Sequence, residues 1–301
     1  MNSSKFNVGY GSSLEGDIHI GKNVRIGNGC FITSEKGRVV IGNDVTIKDR
    51  VSIGDNVSIG DGCVLEDGTH IVKNAKIGKR NFFYNCSIGA DSQSNSGEQK
   101  ETYIFIGDDN KFREYSVVNR GSFLEKDEAI KGKTIIGNGN LILSQTHIGH
   151  DCIIGDNNEL VSGSLLAGYV HLGNNVRVSG LVGIAQFVHV GDYAFVGGLS
   201  GVNRNVLPYS RVDGKPATFR GINTNRMKRI YSGDDFSRVY REVKRAYDFV
   251  KNKNSSDDGL VYSLKNLGTG PAKNIADFIE NASDKNRRFL RFRTKFFEED
   301  D

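Results

Sequence analysis

Two of the chain's six histidines, His147 and His150, stand three residues apart, and Asp151 follows directly in the run Gln145-Thr146-His147-Ile148-Gly149-His150-Asp151-Cys152. A neutral imidazole can take the proton of a hydroxyl or an amine while that group attacks a thioester, and such a general base needs no serine or cysteine nucleophile. The same pair could also be plain surface histidines at a chain corner, and residue types alone leave both readings open. A metal site is disfavoured, because no third ligand stands at suitable spacing. The four cysteines, Cys30, Cys63, Cys86 and Cys152, form no CxxC pair, which points to buried thiols rather than a zinc or redox motif.

The histidines lie inside a repeat of period six. Ile136, Ile142, Ile148, Ile154, Leu160, Leu166, Leu172, Val178, Ile184, Val190, Val196 and Val202 form one unbroken apolar series, and Ile41 to Phe83 forms another through Ile47, Ile53, Ile59, Leu65, Ile71 and Ile77. Leu14, Ile20, Ile26 and Ile32 lead in, and Ile106, Phe112 and Val118 sit between the two series. Six fits neither a helix nor a simple strand alternation, but it suits a short strand plus a corner. Three such units close a triangular coil, with the aliphatic residue inward and Gly, Asn or Asp tolerating the corner geometry. The predicted fold is an all-β left-handed parallel β-helix of hexapeptide repeats with a C-terminal α-helical region. Its domains would be residues 1–207 and 208–301.

Residues 18 apart then stack at roughly 4.8 Å on one face. His171 should lie over His189, His147 should face outward beside inward Ile148, and Gln186 should share the column of His150, about two coils or roughly 10 Å away. The period slips by three between Ile32 and Ile41 and by one near Phe82-Phe83. Residues 90–103 present Ser94 and Lys100 at inward positions and read as an extruded loop, while 122–134 could be a loop or a poor coil because Leu124 and Ile130 keep phase. After Val202 the series ends. From Asp234 a helical stripe runs through Phe236, Val239, Val243, Ala246, Tyr247 and Val250 behind an Asp N-cap pair, and a second helix starts at Pro271 with Ile275, Phe278 and Ile279. The basic and aromatic tail 287–301 reads as a packed terminal helix rather than a nucleic-acid arm.

Composition sets outer bounds. With 301 residues, 37% of them apolar, the chain has ample core, and 40 basic residues against 36 acidic ones leave a net charge of only +4. No overall field calls for nucleic acid or a membrane surface. The N-terminus lacks an apolar signal region and no run of 18 apolar residues could span a bilayer, which predicts a cytoplasmic protein. The 37 glycines beside 3 prolines follow the repeat rather than low complexity.

The irregular segments are more specific than the repeat. THIGHDC at 146–152, SLLAGYVHLG at 164–173, GIAQFVHVGDYAFVGGLSGV at 183–202 and GKPATFRGIN at 214–223 resemble the bacterial acyl-carrier-protein-dependent UDP-N-acetylglucosamine O-acyltransferases that begin lipid A synthesis, over roughly Ile77 to Arg229. That resemblance implies His150 as general base with Asp151 beside it, a homotrimer with sites in clefts between subunits, and an acyl chain along the coils near Gly197 and Gly198. It implies nucleotide contacts at Asn223 and Arg229 and a sugar-side contact at Gln93. No bound cofactor is implied, only the phosphopantetheine of acyl carrier protein or coenzyme A as thioester co-substrate. His147, Asn119, Tyr169 and Gln186 complete the candidate substrate-binding set.

Several positions depart from the family. Ser94 stands for an aspartate, Ser96 for a lysine, Asn119, Tyr169 and Ala185 for histidines, and Ile230 for an arginine. The base is kept while the sugar pocket changes, which points to an altered acceptor. The expected activity is acyl transfer, with a 3-hydroxyacyl group, to the 3-oxygen or 3-nitrogen of a UDP-linked N-acetylglucosamine-type sugar. The alternatives are an N-acyltransferase for a different nucleotide amino sugar in surface-polysaccharide synthesis, and a non-catalytic trimeric β-helix scaffold. Arg204, Arg211, Lys215, Arg220, Arg226, Lys228 and Arg229 form a basic group suited to an acidic carrier protein, or an ordinary solvated surface.

Overall fold

In the computed structural model, which describes residues 7–93, 101–122, 131–252, 258–266 and 270–282, the six-residue period becomes a left-handed parallel β-helix. One coil shows the construction. Strands Leu141–Ile142, His147–Ile148 and Ile153–Ile154 form its first, second and third faces, and each pairs in parallel with the strand 18 residues on. Ile136, Ile142, Ile148, Ile154, Leu160 and Leu166 point inward and are no more than 1% exposed. Burying each such side chain contributes roughly 1.5–3 kcal/mol, so the column is a continuous stabilising core.

The corners carry the cost. Gln145, Asp151 and Asn157 turn one coil with φ of +59°, +57° and +56°, the left-handed region that short polar side chains tolerate best. The interior is not wholly apolar. Asn81, Asn110, Asn140 and Asn158 stack in a ladder, each Oδ1 accepting the next coil's backbone N–H at 2.7–2.8 Å.

Register locates the interruptions. Ile77 pairs with Ile106 rather than with a residue 18 on, so the expected loop after residue 90 is an insertion in the stack, although Ala90 and Tyr103 at its ends belong to strands. Tyr103 pairs directly with Lys133, 30 residues on instead of 18, so the register takes an insertion between Ser122 and Lys133. Ser94, Ser96, Lys100, Leu124 and Ile130 lie outside the described residues, as does the tail 287–301. The three-residue slip is absorbed inside one long strand, Phe31–Ile41, which runs across a corner and joins the second and third faces.

The solenoid also outlasts its apolar series. Strand Ser210–Gly214 pairs with Phe195–Val196 and then turns back antiparallel on Ala217–Ile222. Beyond it lie α1 (Thr224–Ile230), α2 (Gly233–Asn252), α3 (Asp258–Asn266) and α4 (Gly270–Asn281). Val239, Val243, Ala246, Tyr247 and Val250 of α2 bury against Leu264 of α3 and Ile275 and Ile279 of α4, as the helical stripe predicts. Asp234 and Asp235 sit in the first turn of α2, which starts at Gly233, so they face its positive end and do not cap it. Asn205 Nδ2 donates to Ala282 O (2.9 Å) and Asn274 Nδ2 to Asp192 Oδ2 (2.8 Å), pinning the helices to the last coils. No helix among the described residues is long and apolar enough to cross a membrane.

Candidate active site

The corner between the second and third faces gathers the groups that sequence pairs by type. His150 and Asp151 are 6% and 3% exposed. The left-handed backbone at Asp151 folds its carboxylate back onto the preceding ring, and Oδ2 lies 2.7 Å from His150 Nδ1. The Ser122 N–H donates to both carboxylate oxygens at 2.7 and 2.8 Å, and the Asp151 N–H donates to Thr134 Oγ1 at 2.9 Å. An ionised carboxylate only accepts, so Nδ1 carries the proton and Nε2 keeps its lone pair.

The next coil shapes the space around that lone pair. Gly168 lies under the ring, where a Cβ would stand 2.5 Å from His150 Cε1 and 2.7 Å from Nε2. Only glycine fits so close an approach. No acceptor among the described residues engages the Gly168 N–H. Tyr169 presents its ring at 89° to the imidazole, centroids 5.3 Å apart, and stacks on half-exposed Phe187 at 4.7 Å. Its hydroxyl lies 2.7 Å from Ser122 Oγ.

Beside this corner, the second face carries an open groove of about 920 Å³ lined by Gln93, His147, Leu165, Ala167, Gly183, Ala185, Gly201, Asn203, Lys215 and Pro216. Its floor is a lane of small residues, since Gly183 and Gly201 follow Leu165 in the column of His147. His147 is half-buried, and burial, followed by the charge of His150, lowers its pKa. The groove ends at Lys215 and Pro216, on the turn of the terminal hairpin.

The remaining expected residues fall in three places. Gln186 is exposed two coils along the His150 column, with Gly168 between them. Asn119 is 2% exposed and donates through Nδ2 to Asp91 O (2.6 Å), while its Oδ1 has no partner among the described residues. Arg120 donates to Gly89 O (2.5 Å) and the Asp91 carboxylate.

Asn223 and Arg229 lie at a different corner, between the third and first faces. Asn223 caps α1, accepting from Arg226 N and donating to Tyr193 O at 2.8 Å, and Arg229 is exposed in the last turn. Gly197 and Gly198 follow strand Phe195–Val196 of the first face and do not line the groove. A Cβ at Gly197 would strike Asp213 at 2.7 Å, whereas Gly198 has ordinary contact distances. His171 and His189 stack at 4.3 Å on the third face, away from the groove, as the 18-residue rule predicts. All four cysteines are free and buried, with burial raising Cys86 and Cys152 to about 12. No cluster of three metal-ligating side chains occurs among the described residues.

Ser122, Thr134 and Gly168 escaped the sequence reading. Gly168 had a signal, being 18 residues beyond His150, but Ser122 and Thr134 reach Asp151 across an insertion that hides their register.

The bacterial transferase hexapeptide model (six repeats) matches residues 38–73 and 133–168. No curated protein sequence matches the chain. Among solved structures, the chain resembles the UDP-N-acetylglucosamine acyltransferase of Francisella novicida at 30% identity, over 94% of this chain and 93% of that one, with TM-score 0.71. It resembles the Arabidopsis UDP-N-acetylglucosamine acyltransferase at 25% identity, 96% and 99% coverage and TM-score 0.79. The UDP-N-acetylglucosamine O-acyltransferase of Moraxella catarrhalis matches at 28%, 96% and 99%, with TM-score 0.68.

Proposed function

Because the chain belongs to the UDP-N-acetylglucosamine acyltransferase family and is an acyltransferase, we propose that it moves a 3-hydroxyacyl group from a carrier-protein or coenzyme A thioester to the 3-oxygen or 3-nitrogen of a UDP-linked N-acetylglucosamine-type sugar. The observation that carries this reading is the His150 imidazole, held by Asp151 in the tautomer that leaves Nε2 free. Nε2 takes the acceptor's proton as its oxygen or nitrogen attacks the thioester carbon. The carbonyl electrons move onto oxygen, to which the Gly168 N–H, engaged by no acceptor among the described residues, would donate a hydrogen bond. Collapse expels the thiolate, which takes the proton back from the imidazolium. Charge is neutral before and after, and no covalent enzyme intermediate forms.

The groove with Leu165 and the Gly183–Gly201 lane suits an alkyl chain, and Lys215 at its end suits an acidic carrier. The nucleotide-side residues Asn223 and Arg229 and the base occupy different corners of one chain. The homotrimer that the resemblance implies, with sites in clefts between subunits, would bring them together. Light scattering should give about 99 kDa for three chains of 33.1 kDa.

Asn119, Tyr169 and Ala185, where the resemblance implies histidines, support an acceptor other than the family's usual one. The test incubates the protein with UDP-N-acetylglucosamine or its 3-amino analogue, each with carrier-protein or coenzyme A thioesters of graded length. Product is read by mass spectrometry. A UDP-acyl-sugar from one acceptor assigns O- or N-transfer, and no product from any pairing overturns the proposal.

A further inference from the structure

We infer that Ser122 and Tyr169 are positioning residues for His150, and that Tyr169 works through the base rather than by touching the sugar. This inference rests on the reading of His150 as the base.

The contacts close a ring. Asp151 holds His150 Nδ1, the Ser122 N–H holds Asp151, the Ser122 hydroxyl meets the Tyr169 hydroxyl at 2.7 Å, and the Tyr169 ring stands edge-on against the imidazole. The Tyr169 N–H also donates to His150 O at 3.0 Å. One hydrogen bond at Nδ1 fixes which nitrogen is protonated but leaves the ring free to pivot about that bond. The Gly168 backbone below and the Tyr169 ring at the side remove that freedom. Ser122 ties the two supports together, because one residue grips the carboxylate with its backbone and the tyrosine with its side chain.

Two features argue against Tyr169 as a substrate ligand. It is only 4% exposed, and its one polar atom is already engaged. Its backbone sits at φ +61°, as does that of Phe187, an unfavourable geometry for a bulky aromatic. Such geometry persists where surrounding contacts over-determine it, and here it delivers two stacked rings to the side of the base.

The test uses the full-length protein with the acceptor and donor that give turnover. Tyr169→Phe keeps the ring and its stack on Phe187, and Ser122→Ala keeps the backbone N–H to Asp151, so both variants preserve the fold. Each should lower kcat about three- to tenfold, the effect of one modest hydrogen bond, with KM for the nucleotide sugar within about twofold. The double variant should lose no more than the weaker single, since both remove the same contact. In protein with isotope-labelled histidine, the nitrogen shifts of His150 should keep the Nδ1–H pattern that Asp151 sets, while the relaxation of its ring signals reports added pivoting, a change that mere structural loosening elsewhere would not produce.

A rise in KM with kcat retained would make Tyr169 a substrate contact and overturn the inference. So would multiplicative losses in the double variant, or unchanged kcat with unchanged ring relaxation. His150→Gln separates the two levels. Full activity there sinks the base itself, whereas an inactive His150→Gln beside a fully active Tyr169→Phe sinks only the positioning role.

Discussion

Replacing Asp151 by asparagine asks whether the carboxylate is there for shape or for charge. Asparagine has nearly the same volume and accepts the left-handed backbone at φ +57°, so the corner should fold. The wild-type oxygens accept from donors on every side, the Ser122 N–H at 2.7 and 2.8 Å and His150 Nδ1 at 2.7 Å. Whichever way the amide is turned, one oxygen still accepts from the Ser122 N–H while the NH₂ stands beside it, a donor against a donor. With the amide oxygen toward His150, the working tautomer survives but the imidazolium formed during transfer loses its anionic partner. A hydrogen bond to a charged group contributes about 1.5–3 kcal/mol, which is a ten- to hundredfold loss in rate. With the NH₂ toward His150, Nδ1 must become the acceptor, Nε2 gains the proton, and the base is gone.

Both orientations slow catalysis, so kcat should fall about 10- to 10³-fold with KM within threefold, the upper end lying inside the range general base catalysis supplies. Steady-state kinetics measured beside a thermal melt would separate the effects, the fold losing only about 0.5–1.5 kcal/mol as the Ser122 donor keeps one acceptor of two. A variant that keeps kcat within fivefold of wild type would refute the tautomer argument, whatever its stability.

Three further outcomes follow from the same geometry. Gly168→Ala puts a methyl 2.5 Å from His150 Cε1, and because the Gly168 backbone is not left-handed the fold should tolerate it while turnover drops at least tenfold; an active alanine variant would show that the ring need not rest there. Gly183 has no neighbour within 4 Å of an added Cβ, so Gly183→Leu should fold normally and fill the groove; competition between long and short acyl donors should then shift toward the short ones, and an unchanged preference would remove the groove as the acyl site. His171 has its pKa lowered to about 4 by burial and then by His189, against an unfolded value near 6.5. The unfolded chain therefore binds more protons between those values, so stability is full above about pH 6.5 and declines by about 1–3 kcal/mol as pH falls toward 4. His171→Asn should flatten that decline in denaturant titrations at several pH values, and an equally steep decline would place its origin elsewhere.

The parts of this protein that the sequence displays are those that repeat with one fixed step. Ile136 through Val202 announce the solenoid because every coil asks the same thing of the same position, and the 18-residue rule predicts even the His171–His189 stack, since two coils without an insertion preserve the arithmetic. The asparagine ladder shows the limit. Asn81, Asn110, Asn140 and Asn158 do the same job in successive coils, but the two insertions put 29, 30 and 18 residues between them, so no constant step reveals them. Helices α1 and α3, of 7 and 9 residues, are too short for a 3.6-residue period to stand out, and tertiary packing decides them, α3 against α2 and α4. The candidate site divides the same way. His150 and Asp151 are legible as a candidate base and its neighbour, and Gly168, in the same unbroken register, could have been found one coil away by the 18-residue step. Ser122 and Thr134 flank the second insertion, so only the folded register brings them to Asp151, and Tyr169, a substrate-binding candidate from the resemblance, is read as a support for the base because its hydroxyl meets Ser122. Residues that contact substrate can be proposed from a motif, whereas residues that hold the contacting groups still are set by where an insertion returns the chain, and that is a property of the stack rather than of any local pattern.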